Sequence, residues 1–408
     1  MSEMTEKVEL VPKPFLVEAE TTPRLRFPEF RNAGEWRSRR VDEVFQVTRG
    51  EVLAMPLVDE DPSPSKPYPV YSSQTKHNGL AGYYSEFLYS DAITWTTDGA
   101  NAGEVRFRAG KFFCTNVCGV LLSRDGSANN CMAALLNSVA RSYVSYVGNP
   151  KLMNNVMASI QIPMPSISEQ RKIAECLESL DELIAAETEK LEALKRHKKG
   201  LLQQLFPAEG ETTPRLRFPE FSNSDEWRKA KLGECCDIKA AGDLDLATFS
   251  SSQTLIHSYP IYSNGIEGEG LYGFTTKASG PSGSITITAR GTLGVAFFRE
   301  SDFSAIGRLL VVNPSPSLTG YFLQQFWNHS IHLPREVTSI PQLTAVSARG
   351  VEICFPGINE QRRISLALSS NDLASDSVRT LVKILRTHKA ALMQQLFPSL
   401  EEVDTPTE

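Results

Sequence analysis

Hydrogen-bonding side chains of the types that contact nucleic acids crowd the two middle regions of the sequence, residues 31–165 and 222–356. Arg and Lys can pair with guanine edges, Asn and Gln with adenine edges, and Ser and Thr can hold phosphates. The candidates in the first region are Gln74, Lys76, His77, Asn78, Tyr83, Tyr84, Thr97, Asn101 and Arg106, and those in the second are Lys277, Ser279, Ser282, Arg290, Thr292 and Arg299. Each residue alone is more typical of a solvated loop, so it is the group that indicates a recognition surface.

Motifs for catalysis or cofactor binding are scarce. The sequence contains no G-x-x-x-x-G-K-[ST] phosphate loop, no glycine-rich strand-to-helix turn of the dinucleotide-binding type and no H-E-x-x-H zinc motif. Its two Asn-Pro pairs, at Asn149 and Asn313, lack the proline and aromatic residue that amino-methyltransferases use. We therefore expect a non-catalytic chain that binds no cofactor and no metal, although a hydrolase triad assembled from distant residues stays open.

The composition is that of an ordinary globular protein, with 41% hydrophobic and 22% charged residues among 408. Neither a signal peptide nor a run of about 20 apolar residues occurs, so we expect a cytoplasmic protein. Its seven cysteines show no zinc-knuckle spacing and are expected to be reduced. The net charge of −6 is concentrated in acidic ends, residues 1–20 and 398–408, and the rest is close to neutral. Charge therefore neither excludes nor favours a nucleic-acid partner.

A stretch of eleven residues, ETTPRLRFPEF, begins at Glu20 and occurs again, unchanged, from Glu211. Matching residues continue at the same offset of 191 positions through both halves of the chain, and the offset becomes 192 only briefly after Ile93. The matches include EQR at Glu169 and Glu360 and QQLFP near the end of each half. This is a tandem duplication of one domain-plus-helix unit rather than a short-period solenoid.

Each half divides into a mixed α/β middle and a long helix, which predicts the α+β fold class. Short apolar runs bounded by Gly, Pro, Ser and Asn predict strands. These runs are YPVYSS, DAITWTT, GEVRFR and VCGVLLS in the first half and YPIYS, SITITAR, GVAFF and RLLVVN in the second. Helical patterns cover 133–146 and the matching region near 320–332. The ends of the halves are well preserved whereas polar positions of the middles change, which suggests one shared task and two separate targets.

A long helix follows each middle after a proline-rich gate, IPMPSISEQR or CFPGINEQR. We expect Ser168 and Asn359 to be the N-caps, with Glu169 and Glu360 in the first turn. Apolar residues then alternate at intervals of four and three over five heptads, as in a coiled coil. The predicted pairing residues are Ile173, Leu177, Leu180, Ile184, Leu191, Leu194, Leu201, Leu205, Ile364, Leu368, Val378, Val382, Leu385, Leu392 and Leu396, interrupted by Glu187, Lys198, Asn371, Ser375 and Lys389. One amphipathic helix packed on each domain is the alternative.

Together these motifs resemble the specificity subunit of type I restriction-modification systems. The resemblance covers about residues 20–398 and rests on the two EQ gates, the two QQLFP endings and two W-x-x-x-x-[LV]-x-E segments that begin at Trp36 and Trp227. The second gate departs from the pattern, with Cys354 where the first has Pro163. The resemblance implies two target-recognition domains, each of which reads one half of an asymmetric bipartite DNA sequence. It also implies that the two helices pair as an antiparallel coiled coil that sets their spacing.

The resemblance also implies partners and a division of the chain. The expected divisions are an acidic N-terminal tail (1–19), target-recognition domain 1 (20–165), a central spacer helix (166–207), target-recognition domain 2 (208–356), a distal spacer helix (357–398) and an acidic C-terminal tail (399–408). The expected partners are double-stranded DNA, two methyltransferase subunits that use S-adenosylmethionine to methylate adenine, and motor-nuclease subunits. Polar residues just before the gates, Lys151, Asn154, Gln342 and Thr344, lie where this family often has DNA-facing groups.

Two other functions stay open on the sequence. One is a self-contained DNA methyltransferase or nuclease whose motifs have diverged, and the other is a coiled-coil scaffold with protein-binding globular ends.

The first copy of ETTPRLRFPEF stands where the C-terminal QQLFP would connect if the chain ends were joined. The sequence therefore predicts a circular arrangement, in which two equivalent joints each connect a helix to a domain.

Overall fold

The structure is a computed structural model that describes the chain in three stretches, residues 22–73, 76–333 and 342–398. The acidic tails expected at 1–19 and 399–408 lie outside the described residues. None of the helices in the three stretches is long and apolar enough to cross a membrane.

The chain divides into two compact units. Unit 1 comprises residues 1–187 and 381–408, and unit 2 comprises residues 188–380. Because the divisions fall inside the two long helices, each unit contains one mixed α/β domain, the first part of one long helix and the last part of the other.

Within the described residues, the domain of unit 1 has eight strands, six of which form one sheet. Its strands are β1 (Arg37–Arg40), β2 (Gln46–Arg49), β3 (Tyr68–Tyr71), β4 (Leu80–Tyr84), β5 (Tyr89–Thr96), β6 (Val105–Cys114), β7 (Cys118–Leu122) and β8 (Gln161–Met164), and its helices are α1 (Val41–Val44), α2 (Asn130–Val139), α3 (Asn154–Ser159) and the start of α4 (Ile167–Leu205). The sheet order is β2-β7-β5-β6-β3-β4, and only β3 and β6 pair in parallel. β1 pairs with β8 immediately before α4, which ties the entry of the domain to its exit.

Side-chain alternation along β5 decides which residues form the core of unit 1. Ile93 and Trp95 point from one face into a cluster that includes Met132 of α2, whereas Ala92 belongs to a smaller cluster on the opposite face. Trp95 lies so close to Gly119 of β7 that a Cβ at this glycine would be 2.1 Å from the indole. A glycine in the centre of β7 is therefore required by the neighbouring tryptophan.

Unit 2 repeats this frame with a different middle. Its strands are β9 (Arg228–Lys231), β10 (Cys236–Ala240), β11 (Phe249–Ser250), β12 (Tyr259–Tyr262), β13 (Leu271–Thr275), β14 (Ile285–Thr288), β15 (Ala296–Phe298), β16 (Ser304–Ala305), β17 (Leu309–Pro314) and β18 (Glu352–Phe355), and its helices are α5 (Leu232–Cys235), α6 (Gly320–Ser330), α7 (Ala345–Arg349) and the start of α8 (Ile358–Leu396). Two four-stranded sheets, β10-β17-β14-β15 and β11-β13-β12-β16, replace the single larger sheet. The segment of unit 2 that is equivalent to the long strand β6 forms two short strands instead. β15 corresponds to the first part of β6 and β16 to its end.

All eight predicted apolar runs form strands, namely β3, β5, β6, β7, β12, β14, β15 and β17. The helix predicted over 133–146 starts earlier and ends sooner. α2 begins after Asn129, because this side chain accepts a hydrogen bond from Met132 N and caps the helix. The segment ends in a 3-10 turn, Ala140–Tyr143, a common tightening at helix C-termini. The second predicted helix corresponds to α6.

The two long helices each span 39 residues, about 58 Å at 1.5 Å per residue. The prediction that Ser168 and Asn359 are the N-caps is wrong, since both lie within the first turn. Ser166 supplies the cap of α4, because its Oγ accepts a hydrogen bond from Glu169 N at 3.3 Å. Gly357 occupies the matching position before α8.

The predicted pairing residues all lie on sheltered faces of α4 and α8. The buried members are Ile173, Leu177, Leu191, Leu205, Ile364, Leu368, Val378, Val382 and Leu396, and the half-buried members are Leu180, Ile184, Leu194, Leu201, Leu385 and Leu392. At the helix ends these residues enter the domain cores. Ile173 and Leu177 join Leu396 in the core of unit 1, and Leu205 joins Ile364 in that of unit 2. The ends of the apolar stripes therefore anchor the domains.

An ion pair crosses from one long helix to the other inside each unit. In unit 1, Lys389 of α8 pairs with Asp181 of α4. In unit 2, Lys198 Nζ of α4 lies 2.7 Å from Asp372 Oδ1 of α8. Nearer the start of α4, Ile173 packs in one cluster with the end of α8, so the two helix segments of unit 1 run antiparallel.

We expect Asp372→Asn to cost about 1 kcal/mol more stability than Asp181→Asn. Asp372 accepts a hydrogen bond from the Tyr321 hydroxyl at 2.7 Å in addition to its lysine, and a hydrogen bond to a charged group contributes about that much. Asp181 has an exposed side chain, so its variant will lose only about 0.5 kcal/mol. Urea unfolding of both variants measures the difference, and equal losses would contradict the role of the tyrosine.

Six of the seven cysteines are buried, which predicts low thiol reactivity in the folded protein. Burial raises the pKa of Cys118 and of Cys354 to about 11 and that of Cys236 to about 12, and it also raises the pKa of Cys114, Cys131 and Cys235. Only Cys176 is half-exposed. Because the thiolate is the reactive form, iodoacetamide at pH 8 should label the folded protein at Cys176 alone and all seven cysteines after unfolding.

The same shifts predict a fall in stability at alkaline pH. A thiol in the unfolded chain loses its proton near pH 8.5, whereas the buried thiols keep theirs until about pH 11. Stability contributed by these thiols is therefore complete below about pH 8.5 and decreases as the pH rises toward 11. Melting temperatures between pH 7 and 10.5 check this, and a constant value would contradict it, as would labelling of Cys118 in the folded protein.

Candidate nucleic-acid interface

An arginine of the repeated ETTPRLRFPEF segment holds the start of each long helix. In unit 1, Arg26 Nε and Nη2 each donate to one carboxylate oxygen of Glu169 at 2.7 Å, and Nη1 donates to the carbonyl of Ala33 at 2.8 Å. The two side chains are 8% and 2% exposed. Hydrogen bonding to the carboxylate raises the pKa of Arg26, so the guanidinium keeps its charge. Arg217 and Glu360 repeat the two-bond clamp in unit 2.

The same segment receives the end of the other long helix. Leu25 N donates to Gln395 O in unit 1, and Leu216 N donates to Gln204 O in unit 2, both at 2.9 Å. The phenylalanine of each QQLFP ending is buried in the domain core of the same unit. Two equivalent joints thus exist, one in each unit, as the sequence predicted.

The glutamine of each EQR motif fastens the domain to the helix. Gln170 Nε2 donates to Pro165 O at 3.0 Å, and its Oε1 accepts from Asn129 Nδ2 at 2.9 Å. Gln361 repeats these contacts, with Thr319 N as its donor at 2.9 Å. Both side chains are fully buried with their hydrogen bonds satisfied, which makes them rigid links. The duplicated letters marked this motif in the sequence, but only the structure shows its mechanical role.

His77 and Asn78 project from a tight loop between β3 and β4. Both are exposed and adopt left-handed backbone, with φ of 50° and 57°. The carbonyl of Asn78 accepts from Arg108 Nη2 at 2.9 Å. Arg108 also donates to Thr94 on β5, and Arg106 lies two residues before it on β6. Residues two apart in a strand share a face, so Arg106 lies on the sheet face beside this loop.

Thr97, Asn101 and Lys151 come together where β5 ends. A β-bridge joins Asp98 to Lys151, whose Nζ lies 3.8 Å from the Asp98 carboxylate and whose side chain is exposed. Asn101 is half-buried in the following turn. Thr97 differs, because it is 1% exposed and its hydroxyl donates to Val117 O at 2.9 Å. The position of Thr97 therefore favours a structural role over a contact with DNA.

The remaining candidates of unit 1 are less well placed or lie outside the described residues. Asn154 begins α3 and donates to a β2 carbonyl at 3.3 Å. Tyr83 and Tyr84 lie in β4, where Tyr84 packs edge-on against a phenylalanine. Gln74 lies outside the described residues, and so does the side chain of Lys76.

In unit 2 the end of β14 carries the matching group. Arg290 forms a β-bridge with Gln342, and Thr292 is exposed in the turn that follows. Thr344 is exposed too, but its hydroxyl is occupied as the N-cap of α7. Arg308, which the sequence analysis did not single out, is exposed. It lies beside this group, because its carbonyl accepts a hydrogen bond from the backbone N–H of Ala289 at 2.9 Å. Only tertiary proximity reveals Arg308.

The other candidates of unit 2 lie elsewhere in its fold. Lys277 is exposed after β13, and the Ser279 hydroxyl lies 3.2 Å from that of Ser304. Ser282 is exposed as well. Arg299, read in the sequence as a polar loop residue, is instead 2% exposed with its guanidinium bonded inside the domain. It does not offer free donors to a ligand.

Equivalent positions at the ends of β5 and β14 thus have side chains of different chemical type, although the two domains share one frame. Unit 1 presents an acid and a base, Asp98 and Lys151, where unit 2 presents Arg290 and Gln342. Lys151 and Gln342 are exposed, and Asp98 and Arg290 are half-buried. Charged and amide groups of this kind can hydrogen-bond to base edges or phosphates. Among the described residues, no group of three or more His, Cys, Asp or Glu side chains is placed to hold a metal ion.

Comparison with known proteins identifies the family. A family model described as the type I restriction modification DNA specificity domain matches residues 33–196 and 224–383. A putative type I specificity subunit of Mycoplasma pneumoniae is 28% identical over 335 residues, which are 81% of this chain and 88% of that protein. The N-terminal part of a second putative specificity subunit from the same organism is 36% identical over 143 residues, 34% of this chain and 75% of that sequence.

A solved structure shares the fold. The crystal structure of the S subunit of a type I restriction-modification system from M. genitalium has a TM-score of 0.69 at 17% identity, over 93% of this chain and 100% of that one. With a family model matched in both halves and over most of its length, the chain belongs to the type I restriction-modification specificity subunits and has two target-recognition domains. The resemblance and the tandem α+β fold with two paired long helices are thereby confirmed.

Proposed function

We propose that the chain is the DNA-reading, non-catalytic subunit of a type I restriction-modification complex, in which each domain reads one half of an asymmetric bipartite sequence. The observation that carries this proposal is the contrast between the matching joints of the two units and the unlike side chains at the ends of β5 and β14. Both joints are the same arginine–glutamate clamp, whereas Asp98 and Lys151 in unit 1 stand where Arg290 and Gln342 stand in unit 2. A duplicated frame with different side chains at equivalent positions suits two different half-sites.

The proposed contact residues are those that are exposed or half-buried and that lie at the loop between β3 and β4 or at the ends of β5 and β14. For unit 1 they are His77, Asn78, Asn101, Arg106 and Lys151, and for unit 2 they are Arg290, Thr292, Arg308 and Gln342; Gln74, Lys76, Tyr83, Asn154, Lys277, Ser279 and Thr344 remain expectations from the sequence. Each set holds few cations, and Arg106 is already paired with Glu104. Because phosphate neutralisation supplies most non-specific affinity, the chain alone should bind DNA weakly and with a shallow salt slope.

For the helices we propose a spacer that docks two methyltransferase subunits and, through them, motor-nuclease subunits. The proposed divisions are those of the sequence: recognition domains at 20–165 and 208–356 and spacer helices at 166–207 and 357–398. Half-site spacing follows protein geometry in two-part DNA readers, so the rigid helices, each about 58 Å long, would determine the gap between half-sites. The buried, hydrogen-bonded side chains of Gln170 and Gln361 support this, because helices that determine a spacing need a rigid connection to the recognition domains.

Methyl transfer by purified components tests the proposal. The chain alone should neither methylate nor cut DNA, and the complex with its methyltransferase subunits should methylate adenine in one split sequence. Methyl transfer or cutting by the chain alone would establish the enzyme alternative instead. Equal retention of all DNA sequences by the complex, with the salt slope of purely non-specific binding, would favour the scaffold alternative.

A further inference from the structure

Two arginines without a place in the proposed contact set occupy the same position in the two units. The guanidinium carbon of Arg108 lies 3.8 Å from the centre of the Tyr71 ring, and that of Arg299 lies 3.5 Å from the centre of the Tyr262 ring. Both pairs are related by the offset of 191 positions. A guanidinium over an aromatic face is held by cation–π attraction, which is strongest where water is excluded.

Each guanidinium also joins a strand to a loop. In unit 2, Arg299 Nε donates to Thr286 Oγ1 at 3.0 Å, and Nη2 donates to the carbonyl of Glu269 at 2.8 Å. In unit 1, Arg108 makes the same two bonds, 3.1 Å to the threonine hydroxyl of β5 and 2.9 Å to the carbonyl of Asn78. The planar fork of arginine can bind two acceptors in different directions while it stacks on a ring. The two loops are therefore tied to their sheets in the same way.

The carbonyl that each arginine binds belongs to a residue in left-handed backbone. Consecutive residues take this conformation in both loops, His77 and Asn78 with φ of 50° and 57°, and Gly268 and Glu269 with φ of 54° and 56°. Three of the four non-glycine residues with positive φ in the described stretches lie in these two loops. Such backbone costs a residue other than glycine about 1–3 kcal/mol and persists only where surrounding contacts hold it. The arginine bond is such a contact.

The loop tips keep their shape although their sequences differ. The tips are Lys76–Gly79, with sequence KHNG, and Glu267–Gly270, with sequence EGEG. Only the closing glycine is shared, and its carbonyl accepts from a serine N at 2.8 Å in each unit. A Cβ at Gly270 would lie 2.4 Å from the Ser263 carbonyl, so the tight closure requires glycine. A constant backbone thus displays different side chains.

We propose that these two loop tips read bases and that Arg108 and Arg299 are positioning residues that hold the tips in one shape whatever their sequence. This inference rests on the proposed function and deepens it. The tip of unit 2 exposes the carboxylates of Glu267 and Glu269. Carboxylates are repelled by phosphates and accept hydrogen bonds from the amino group of cytosine, so this tip faces base edges, with cytosine as its preferred contact.

Arg108→Lys and Arg299→Lys test the inference separately, in the complex with methyltransferase subunits. Lysine keeps the charge but cannot bind the threonine and the carbonyl from one plane above the ring. On duplexes with single base changes, Arg299→Lys should lower discrimination about tenfold for the half-site read by unit 2 and leave the other half unchanged. Arg108→Lys should do the reverse. The salt slope should stay that of the wild type, because no phosphate contact is lost.

Glu269→Asn supplies a test that keeps both short bonds of the arginine and removes only the longer contact of the Glu269 carboxylate with Arg299 Nη1, at 3.5 Å. It keeps the carbonyl that Arg299 binds, and asparagine adopts left-handed backbone more readily than glutamate, so folding should be retained. The preferred bases of the unit 2 half-site should change, and the melting temperature should not fall. This variant decides the question alone if the lysine variants unfold.

Two results would overturn the inference. One is unchanged discrimination in both halves by folded variants, and the other is an equal loss of affinity for all sequences, which would assign a phosphate contact instead. A wild-type complex without any sequence preference would overturn the proposed function itself, before any variant is measured.

Discussion

Replacing Arg217 with alanine will destabilise unit 2 by about 3–5 kcal/mol, because the substitution leaves the Glu360 carboxylate buried without its partner. The Glu360 side chain is only 4% exposed, so water cannot replace the guanidinium without opening the joint. Trp227 lies in the same core with an indole N–H that makes no hydrogen bond in the described part of the chain. It therefore does not compensate for the arginine in the present geometry.

The matching variant of unit 1, Arg26→Ala, will cost about 1 kcal/mol less. In this unit the Trp36 Nε1 donates to Glu169 Oε2 at 3.1 Å, so one donor to the carboxylate remains. Urea unfolding, with hydrogen exchange to assign the loss to a unit, measures both variants. Arg363→Ala is the matched control, because its exposed pair with Glu220 is worth less than about 1 kcal/mol. A loss for Arg217→Ala no larger than that of the control would contradict the importance of the buried clamp.

Phe206→Ala will also destabilise unit 2 by about 3–5 kcal/mol. The Phe206 ring is 1% exposed and makes edge contacts with Trp227, Phe322 and Phe326, at centroid distances of 6.1, 5.4 and 5.8 Å. Removing it leaves a void among large aromatic rings and also loosens the end of α4. The expected loss is therefore that of a core aromatic residue rather than of a residue at a helix terminus.

Phe397→Ala provides the matched test in unit 1. Phe397 lies near the end of the described chain, yet it is 5% exposed within a core built mainly from residues 36–177. Hydrogen exchange should increase in the domain that begins the chain, far from the substitution in sequence. Leu366→Ala is the control, since its 58% exposed side chain should change stability by less than about 0.5 kcal/mol. Faster exchange confined to the C-terminal residues would show that the end of α8 does not stabilise the domain of unit 1, and would contradict this prediction.

Repetition made much of the fold predictable, because the duplicated letters mark positions that both units need. The EQR and QQLFP motifs predicted the two long helices, and the alternating apolar residues predicted their sheltered faces. The cap positions were wrong because several polar residues precede α4, and only the chain path shows that the Ser166 hydroxyl, not that of Ser168, reaches Glu169 N. Local sequence does not distinguish between two serines in the same short segment.

The candidate interface was harder to predict, because exposure depends on tertiary contacts. Thr97 and Arg299 have the right chemistry for DNA but are buried, and Arg308 lies beside Arg290 only because β17 begins next to the end of β14. Arg108 escaped notice although it repeats at the duplication offset. Its stacking and hydrogen-bonding partners stand more than ten positions away in the sequence, so no local pattern connects them.

The central claim is that this chain selects one split DNA sequence for methylation by its partners. The most direct test maps methylated adenines across the source genome, in cells that express the methyltransferase subunit, with this gene intact, deleted and restored. The account predicts that deletion removes methylation at one bipartite motif and that restoration returns it. It also predicts that a gene with residues 222–356 exchanged for those of a relative changes only one half of that motif. Methylation that is identical in all these cells would contradict the account.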